Sequence, residues 1–504
     1  MTAQKRSATV QVAEVLSTPA NSFVSESGGN LTRQRDVSNM SPQGDKLKNP
    51  QLDKGLSPGI PTGPLMTTLA PPLKTLSQDE ADALLAQDEQ FVMRPWPHPK
   101  GEPVIVAKAR GCVITDVQGK QFLDFTAGYF VNNAGHCHPR IVEAATSQLK
   151  YVLQVSGKHG TVPMIRLAQK LITLGPKSLN KAFFSTGGSE SNEFALRLAR
   201  QYTKKADVAY LENSYHGLTI GSLEVTHNEK YRESAGRPLT PHTFAIPNAY
   251  CYRCKFGPAV NCKTECLDGV EAKLDARVTA AIIAEPIQSV GGLAPPQKWW
   301  DRLDRIRRDR GILLIIDEVQ TGLGRTGKMF ACEHYGLLPD IMTGGKGLSG
   351  GVGSLALTAA SDEVCKNFFG GTTPTSGGNA VSSAAGSALI DVLLDEGLVD
   401  NAANMGRYFT EAAWALNDPW IGDVRFIGLL GGIELVKNRE TKEVLGKGEM
   451  GKIKDELHER GMLITLSGTL GNCLRLQPPL SITTGEIDQF LAVLKTVLAS
   501  VRNA

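Results

Sequence analysis

The stretch "KAFFSTGGSESNEFALRLARQYT", residues 181–203, gives the clearest indication of the fold, because a strand signal, a turn signal and a helix signal follow one another in it. Its first part, "KAFFSTGG" (181–188), is apolar and then turns at two glycines, which is typical of a β-strand that ends in a tight loop. Its second part, "SESNEFALRLARQYT" (189–203), has the apolar spacing of an amphipathic α-helix. A strand followed directly by a helix predicts an α/β fold.

Three further segments share the design of an apolar run that becomes polar at its C-terminal end. They are "VAYLENSYHG" (208–217), "AAIIAEPI" (280–287) and "ILLIIDEV" (312–319). Near-continuous apolar strands separated by helices predict a buried, mostly parallel sheet. A ligand of such a sheet lies beyond the carboxyl ends of the strands, so we expect the polar residues at those ends to converge on one crevice.

Three polar features fall at this edge of the predicted sheet. The glycine turn at Gly187 and Gly188 would direct free backbone N–H groups at an anion such as a phosphate. Asp317 ends a strongly apolar run, and its carboxylate needs a cationic partner, which a protonated pyridinium nitrogen would supply. Lys346, in "PDIMTGGKGLSGG" (339–351), has glycines on both sides that permit close approach of a ligand.

Each of these features also has an ordinary structural explanation. The glycines could close a tight loop, the aspartate could cap a helix or form a salt bridge, and the lysine could be an exposed loop residue. Their occurrence in this order on one α/β chain favours a binding site instead. That site would combine a phosphate cradle, an acid at a strand end and an amine that a ligand can reach.

The composition restricts the class of protein. The chain has 504 residues, of which 41% are hydrophobic and 21% charged, as in ordinary folded proteins. Its net charge of +3 gives no reason to expect nucleic acid as a partner, and no apolar run has the length of a membrane span. Nine cysteines in so long a chain predict free thiols in a reducing compartment such as the cytoplasm, rather than a disulfide framework.

The first 75 residues differ from the rest of the sequence. They are rich in Ser, Thr, Asn, Gln, Gly and Pro and contain few aromatic residues, which predicts a flexible low-complexity tail. No apolar segment of the secretory kind occurs near the first residue, which argues against secretion. Lys5, Arg6, Arg33 and Arg35 leave an organelle transit peptide, for example a mitochondrial one, as an alternative to an untargeted extension.

Several longer motifs occur along the sequence. They are "FFSTGGSESNEFALRLAR", "NSYHGLT", "IIAEPIQSVGG", "LLIIDEVQTGLGRTGKMFACEHYGLLPDI", "GGKGLSGG" and "LRLQPPLSIT". Together they resemble the motifs of the class III (subgroup II) aminotransferases, a family that includes alanine–glyoxylate and 4-aminobutyrate-type enzymes and 2,2-dialkylglycine decarboxylase. The resemblance runs from about Pro95 to the C-terminus. It implies a pyridoxal-phosphate-dependent enzyme of fold type I, like aspartate aminotransferase, and a homodimer with shared active sites.

The resemblance also implies a domain organisation. Residues 76–140 would form an N-terminal segment that joins the small domain, and residues 386–504 would form the rest of that α+β domain. Residues 141–385 would form the large, doubly wound cofactor-binding domain. A cysteine-rich insertion, residues 251–266, would lie within the large domain.

The resemblance assigns roles to particular residues of this sequence. Lys346 would form the Schiff base with the cofactor and act as the acid–base, and Asp317 would pair with the pyridine nitrogen. Arg475 would bind the substrate carboxylate, and Tyr129 and Glu285 would lie at the substrate. Thr375 would contact the cofactor phosphate of the neighbouring subunit. The remaining implied cofactor contacts are Gly188, Ser189, Tyr215, His216 and Gln320.

The implied reaction moves an amino group from an amino acid or ω-amine to a 2-oxo acid such as pyruvate, glyoxylate or 2-oxoglutarate. Ornithine and 4-aminobutyrate enzymes of the family carry a glutamate that neutralises the arginine, and this chain has Val290 there. Its pattern is more similar to the alanine–glyoxylate type. Decarboxylation of the dialkylglycine type remains an alternative, although Tyr129 replaces the glutamine of that enzyme. A non-catalytic scaffold that binds the cofactor is a further alternative.

Two groups of residues leave a metal site open. Cys251, Cys254, Cys262 and Cys266 have the spacing C-x2-C-x7-C-x3-C, which is compatible with zinc or an iron–sulfur cluster as well as with free thiols. The histidines of "GHCHP", His136 and His138, also resemble metal ligands. For these histidines we favour a structural role near the small domain, as the family resemblance implies.

Overall fold

Strands and helices alternate along most of the chain. This computed structural model describes residues 75–93, 105–234, 242–257, 261–366, 368 and 374–504. Within these ranges the strands are β1 (Val106–Arg110), β2 (Val113–Asp116), β3 (Gln121–Asp124), β4 (Lys181–Ser185), β5 (Asp207–Leu211), β6 (Thr243–Ile246), β7 (Thr279–Ala284), β8 (Leu313–Asp317), β9 (Ile341–Gly344), β10 (Ala356–Ala360), β11 (Ile421–Ile427), β12 (Leu430–Asn438), β13 (Glu443–Val444), β14 (Met462–Leu463), β15 (Thr465–Ser467) and β16 (Cys473–Leu476).

The helices of the described residues connect and cover these strands. One of them, α2, is a single left-handed turn. In chain order they are α1 (Gln78–Phe91), α2 (Ala127–Phe130), α3 (Pro139–Gln148), α4 (Val162–Leu174), α5 (Gly188–Thr203), α6 (Ile220–Glu224), α7 (Glu229–Ser234), α8 (Val270–Lys273), α9 (Gln297–Asp309), α10 (Asp362–Cys365), α11 (Ala380–Asp395), α12 (Leu398–Ala415), α13 (Lys447–Glu459) and α14 (Thr484–Asn503).

The largest sheet has seven strands in the order β4-β10-β9-β8-β7-β5-β6. Strand β10 is antiparallel to both of its neighbours, and the other pairs in the sheet are parallel. Five parallel strands therefore lie side by side and end at the same edge. The predicted α/β fold with a mostly parallel sheet is confirmed.

Both faces of this sheet are buried, because alternate residues of its strands enter different apolar clusters. Ile283 of β7 and Ile315 of β8 pack with α5 residues such as Phe194. Their neighbours Ile282 and Ile316 face the opposite side, where Trp299, Trp300 and Leu303 of α9 cover the sheet. Helices on both faces explain why these strands read as continuous apolar runs.

The four strands predicted from apolar runs are present as β4, β5, β7 and β8. Each ends near the point where its segment becomes polar; β7 ends at Ala284, directly before Glu285. The helix predicted over residues 189–203 is α5, which begins one residue earlier, at Gly188. The local pattern therefore located the elements that carry the polar strand ends.

Two smaller sheets lie outside the seven-stranded sheet. The first has the order β1-β2-β3-β14, and its parallel pairing of β3 with β14 joins residues 121–124 to residues 462–463. The second has the order β11-β12-β16-β15, with β13 paired to β12. The described residues, from 75 onward, belong to one compact unit. The domain boundaries at 140 and 385 stay predictions.

Two expectations concern the ends and the surface of the chain. The predicted tail, residues 1–75, lies outside the described residues except for its last residue. Of the helices in the described ranges, none combines the length and the apolar character that crossing a membrane requires.

Close packing of α11 against the loop that follows β9 generates a stability prediction. A Cβ atom added at Gly386 of α11 would lie 2.5 Å from the carbonyl oxygen of Leu348, an atom of the backbone that cannot rotate away. We expect Gly386→Ala to destabilise the fold by about 1–3 kcal/mol, as overpacking does elsewhere. The shift of the thermal unfolding midpoint measures this effect.

Gly451 of α13 provides the matched control, because a Cβ atom there meets no atom within 4 Å. Gly451→Ala should stabilise the protein by roughly 0.5–1 kcal/mol, since alanine loses less backbone entropy in a helix. Equal unfolding midpoints for the two variants would contradict the tight contact between α11 and the loop.

Candidate active site

The carboxyl ends of β7, β8 and β9 bring three reactive side chains to one edge of the sheet. Asp317 is the last residue of β8 and is paired with Thr343 of β9. Glu285 follows the end of β7, and Lys346 lies two residues beyond the end of β9. Parallel pairing keeps these strand ends adjacent, so sequence positions 285, 317 and 346 meet at the crevice predicted from the sequence.

Asp317 is buried, with 2% of its surface exposed, and hydrogen bonds fix its carboxylate. Oδ2 lies 2.7 Å from Nδ1 of His216 and accepts a 2.8 Å bond from Nδ2 of Asn192, while Oδ1 accepts from the N–H of Val319 at 2.9 Å. Among the described residues, neither lysine nor arginine forms an ion pair with it. This carboxylate therefore fits a protonated ring nitrogen of a ligand.

Asn192 is a site residue that the sequence analysis missed. Its side chain also donates to the carbonyl of His216 at 2.7 Å, and its Oδ1 accepts from Thr343 Oγ1 at 2.7 Å. It therefore links α5, β9 and the loop after β5 behind the carboxylate of Asp317. A signal existed, since Asn192 lies one helical turn after Gly188 in "GGSESNE" and points back toward the strand ends.

The N-terminus of α5 forms the cradle predicted for an anion. Gly187 at the N-cap offers no side-chain hydrogen bond, so the helix dipole and first-turn N–H groups are open to a ligand. A Cβ atom at Gly188 would lie 2.7 Å from Val319 Cγ1, so only glycine fits there. Ser189 Oγ accepts from the N–H of Leu218 at 3.3 Å, which ties this turn to the loop after Tyr215 and His216.

The amine of Lys346 lies inside the crevice, 5.6 Å from the centre of the Phe130 ring. The pKa of the Lys346 amine is lowered, and burial is the largest cause. The nearby cation of Arg475 lowers this pKa further, whereas the carboxylates of Asp317 and Glu285 raise it. No hydrogen-bond partner of Nζ occurs in the described part of the chain. Lys346 has a positive φ of 48°, which places it on a turn directly after Gly345.

Arg475 of β16 faces the same space as Lys346. Its guanidinium lies 4.8 Å from the ring centre of Phe130 and 5.9 Å from that of Tyr129, and Nε donates to Thr465 Oγ1 at 3.2 Å. Burial lowers the pKa of this guanidinium. No carboxylate of the described residues forms a salt bridge with it, so its remaining N–H groups are open to an anion.

Glu285 is a buried carboxyl group, 1% exposed, and lies close enough to Lys346 to affect the pKa of its amine. Burial raises its pKa to about 7, with a further contribution from the charge of Asp317. Its oxygens accept from the N–H groups of Ser289 at 3.2 Å and Tyr215 at 3.4 Å, and Gln320 Nε2 lies 3.5 Å away. The carboxyl of Glu285 thus connects the predicted cofactor contacts Tyr215 and Gln320.

Residues 127–130 carry Tyr129 and Phe130 into the site on the left-handed turn α2. Their φ angles are 47°, 60°, 64° and 70°, and the N–H of Phe130 donates to the carbonyl of Thr126 at 2.9 Å. Three of the four residues are not glycine, and each such residue costs roughly 1–2 kcal/mol in a left-handed helix. The protein therefore stores backbone strain where two aromatic rings approach Arg475.

Thr375 stays a prediction as a contact to the phosphate of the neighbouring subunit. Its side chain is exposed, and its carbonyl accepts from Nε2 of Gln154. The described residues contain no cluster of three or more His, Cys, Asp or Glu side chains suited to a metal ion.

The four cysteines of residues 251–266 are free thiols in the structure, and a metal ion bound by them stays an open alternative. Of these cysteines, Cys262 accepts a bond at Sγ from the N–H of Thr264 at 3.3 Å. His136 and His138 bind two different carboxylates, those of Asp124 and Glu396, so each has a structural partner rather than a shared ion.

Comparisons with known proteins agree with this geometry. The family model for aminotransferase class III matches residues 97–498. The chain is 35% identical to the leucine/methionine racemase of Thermococcus litoralis, over 79% of this chain and 91% of that protein. It is 33% identical to the acetylornithine aminotransferase of Methanothermobacter thermautotrophicus, over 84% of this chain and 100% of that protein.

A solved structure is similar along nearly its whole length. The taurine:2-oxoglutarate aminotransferase of Bifidobacterium kashiwanohense, solved in complex with PLP and glutamate, has a TM-score of 0.79 and 26% identity, over 85% of this chain and 99% of that chain. The family match and the structural similarity thus indicate the same family of enzymes. The chain belongs to the class III aminotransferases and is a pyridoxal-phosphate-dependent transaminase of fold type I.

Proposed function

We propose that both the amino donor and the acceptor of this enzyme carry a carboxylate next to the reacting carbon. The reaction would then transfer the amino group of an α-amino acid to a 2-oxo acid. The observation that carries this proposal is the free cation of Arg475 beside Lys346. Val290 stands where related enzymes have a neutralising glutamate, and Arg475 has no ion-pair partner in the described residues. A substrate carboxylate is the simplest partner for this guanidinium.

The residues of the crevice fit pyridoxal phosphate. When bound, this cofactor supplies an electron sink that stabilises negative charge at the substrate Cα. Asp317, fixed by His216 and Asn192, would keep a proton on the pyridine nitrogen, and an orphaned Nε2 on buried His216 indicates that a further polar group belongs nearby. Gly188 and Ser189 at the open N-terminus of α5 would hold the phosphate.

Lys346 is our candidate for the Schiff-base lysine and the acid–base of the reaction. Its lowered pKa favours the neutral amine, which is the form that can attack and take up a proton. Its amine can move a proton at the substrate Cα on the face of the site that Phe130 borders. The raised pKa of Glu285, about 7, suits a group that changes protonation near neutrality.

Arg475 would fix the substrate through two parallel N–H···O bonds to its carboxylate. Nε is already held by Thr465, which leaves the two terminal nitrogens for the ligand. The rings of Phe130 and Tyr129 lie against this guanidinium, and Phe130 is buried. Such a contact is stronger than one in bulk water, because the surroundings have a lower effective dielectric constant.

Racemisation of an α-amino acid is a second candidate function, since one relative at 35% identity is a leucine/methionine racemase. It would use the same carboxylate contact and the same proton transfer at Cα, followed by return of the proton to the opposite face. Decarboxylation and cofactor binding without catalysis are further outcomes that the same assay separates.

We also infer a homodimer. Several large apolar side chains of residues 142–165 are more than half exposed in the single chain, among them Tyr151, Val162 and Ile165. Gln154 from the same region hydrogen-bonds the backbone of Thr375. An exposed apolar surface continuous with Thr375 supports a second subunit that completes the site, as the family resemblance implies.

A reducing compartment such as the cytoplasm fits the cysteines, which are free at all nine positions. This location is a proposal, as is the absence of nucleic acid among the partners.

Lys346→Ala tests the reaction. We expect turnover to fall at least about 10⁴-fold, because the variant loses its acid–base group, and the visible band of the protein-linked cofactor should be absent. The measurement combines that spectrum with product analysis after adding single amino acids with pyruvate, glyoxylate or 2-oxoglutarate. Lys328→Ala, at an exposed position, is the control and should leave both readouts unchanged.

The products decide between the candidate functions. Formation of a new amino acid supports transamination, whereas inversion at Cα without a 2-oxo acid would establish racemisation. Carbon dioxide in proportion to product would establish decarboxylation. Full turnover by Lys346→Ala would overturn the assignment of the lysine.

Arg475→Lys tests the carboxylate contact. We expect kcat/KM for α-amino acids to fall by about 10²-fold or more, because one ammonium replaces a two-point contact. The rate of the first half-reaction with a primary amine that lacks a carboxylate, followed without any 2-oxo acid, should change little. Arg460→Lys, at an exposed position, is the control. An equal loss with both kinds of donor would show that Arg475 supports the fold rather than the substrate.

Ile165→Glu tests the dimer. Wild-type protein should sediment with twice the mass of one chain, whereas a buried charge at the interface should shift the variant toward the monomer and reduce activity in parallel. Leu338→Glu, at another half-exposed apolar position, is the matched control and should remain dimeric. A wild-type monomer with full activity would contradict the shared site.

A further inference from the structure

The left-handed turn α2 depends on a carboxylate that lies beneath it. Oδ1 of Asp124 accepts from the N–H and the Oγ1 of Thr126, at 2.7 Å and 2.6 Å. Oδ2 accepts from the N–H of Gly128 at 3.1 Å. These bonds hold the entry and the middle of the turn, where the backbone leaves its ordinary conformation.

His136 completes this arrangement from the other side. Its Nε2 lies 2.8 Å from Oδ2 of Asp124, and its backbone pairs in both directions with Gly111. The ring lies close under the turn, since a Cβ atom at Gly128 would be 3.8 Å from His136 Cε1. The same Cβ atom would be 2.7 Å from Nδ2 of Asn132, so little room exists for the turn to shift.

The carboxylate of Asp124 is fully buried, and its ion-pairing partner within the described ranges is His136 alone. A buried carboxylate needs hydrogen bonds to both oxygens, and charge-assisted bonds of this kind are among the strongest in proteins. Here the donors that satisfy the charge are the groups that fix the turn. The cost of leaving the carboxylate unsatisfied therefore opposes relaxation of α2.

The residues at the end of this turn face the substrate side of the site. The Phe130 ring lies 5.6 Å from the amine of Lys346 and 4.8 Å from the guanidinium of Arg475, and the Tyr129 ring lies 5.9 Å from that guanidinium. If α2 relaxed to a right-handed or extended conformation, both rings would leave Arg475. The backbone conformation of residues 127–130 thus determines the space left for a substrate side chain.

We infer that Asp124 and His136 are positioning residues that hold α2 in its left-handed conformation and so set the affinity for the substrate carboxylate and the discrimination by side-chain size. The inference rests on the proposed role of Arg475. The two residues contact neither substrate nor cofactor, and they act through Phe130 and Tyr129.

His136→Ala is the primary test, in the holoenzyme. We expect KM for α-amino acids to rise about ten- to a hundredfold with a change in kcat below about threefold, since displacement of a positioning group by about 1 Å has effects of this size. Calorimetric Kd values for propionate and hexanoate provide a readout without catalysis. Both Kd values should rise, and the ratio of the Kd for propionate to the Kd for hexanoate should move toward one.

Matched variants separate positioning from general loss of structure. His138→Ala, two residues away and bound to Glu396 on the surface, should keep wild-type Kd values and KM. His136→Gln should recover most of the binding, because its side-chain N–H group can reach the position of Nε2. Ala127→Gly in the His136→Ala background should also recover binding, since glycine adopts positive φ without a steric cost.

The outcomes are distinct. Wild-type Kd values and size discrimination in His136→Ala would overturn the inference, and so would equal losses in His136→Ala and His138→Ala. If His136→Gln and the added Ala127→Gly both fail to recover binding, and the unfolding midpoint is lowered, His136 has a structural role only and the inference is wrong. If wild-type enzyme binds neither carboxylate, the proposed role of Arg475 fails instead.

Discussion

The buried carboxylate of Asp317 is the constraint on which the rest of the site depends. It lies at the end of a strand that is covered on both faces, where an isolated charge is costly. The described residues satisfy it with hydrogen bonds from Asn192 and Val319 and with His216, but without a lysine or an arginine. The fold therefore keeps a negative charge in a place where a cationic ligand group gains the most from meeting it.

Arg475 presents the opposite case in the same crevice. Its guanidinium is held at one nitrogen by Thr465 and by two aromatic rings, and no carboxylate of the described chain neutralises it. Two unlike charges are thus left open, one at each end of the space that Lys346 borders. A ligand pair with a cationic ring and an anionic carboxylate would satisfy both, which explains why one fold can hold a cofactor and a substrate in a fixed relative position.

Features of the fold and the site could be predicted from the sequence where they depend on residues close together in the chain, but not where they depend on contacts between distant residues. Strands β4, β5, β7 and β8 and helix α5 followed from apolar runs, because burial on both sheet faces leaves a local signature. Asp317 and Lys346 stood out because strand ends and flanking glycines are visible in the sequence. The left-handed turn could not be predicted, since Ala, Tyr and Phe have no local preference for positive φ and the contact that holds it joins Asp124 to His136 across another loop. For the same reason the separate carboxylate partners of His136 and His138 could not be predicted, although a structural role for both histidines was.

Glu285 and Lys346 share one further physical property, because burial acts on both in the direction of neutrality. It raises the pKa of the carboxyl to about 7 and lowers that of the amine. Their mutual attraction opposes both shifts, so loss of charge on one member favours loss of charge on the other. Burial thus favours the uncharged forms of this acid and this base together. A proton taken up by Lys346 then has a nearby carboxylate that stabilises the ammonium, and the charge balance of the site is restored when that proton leaves.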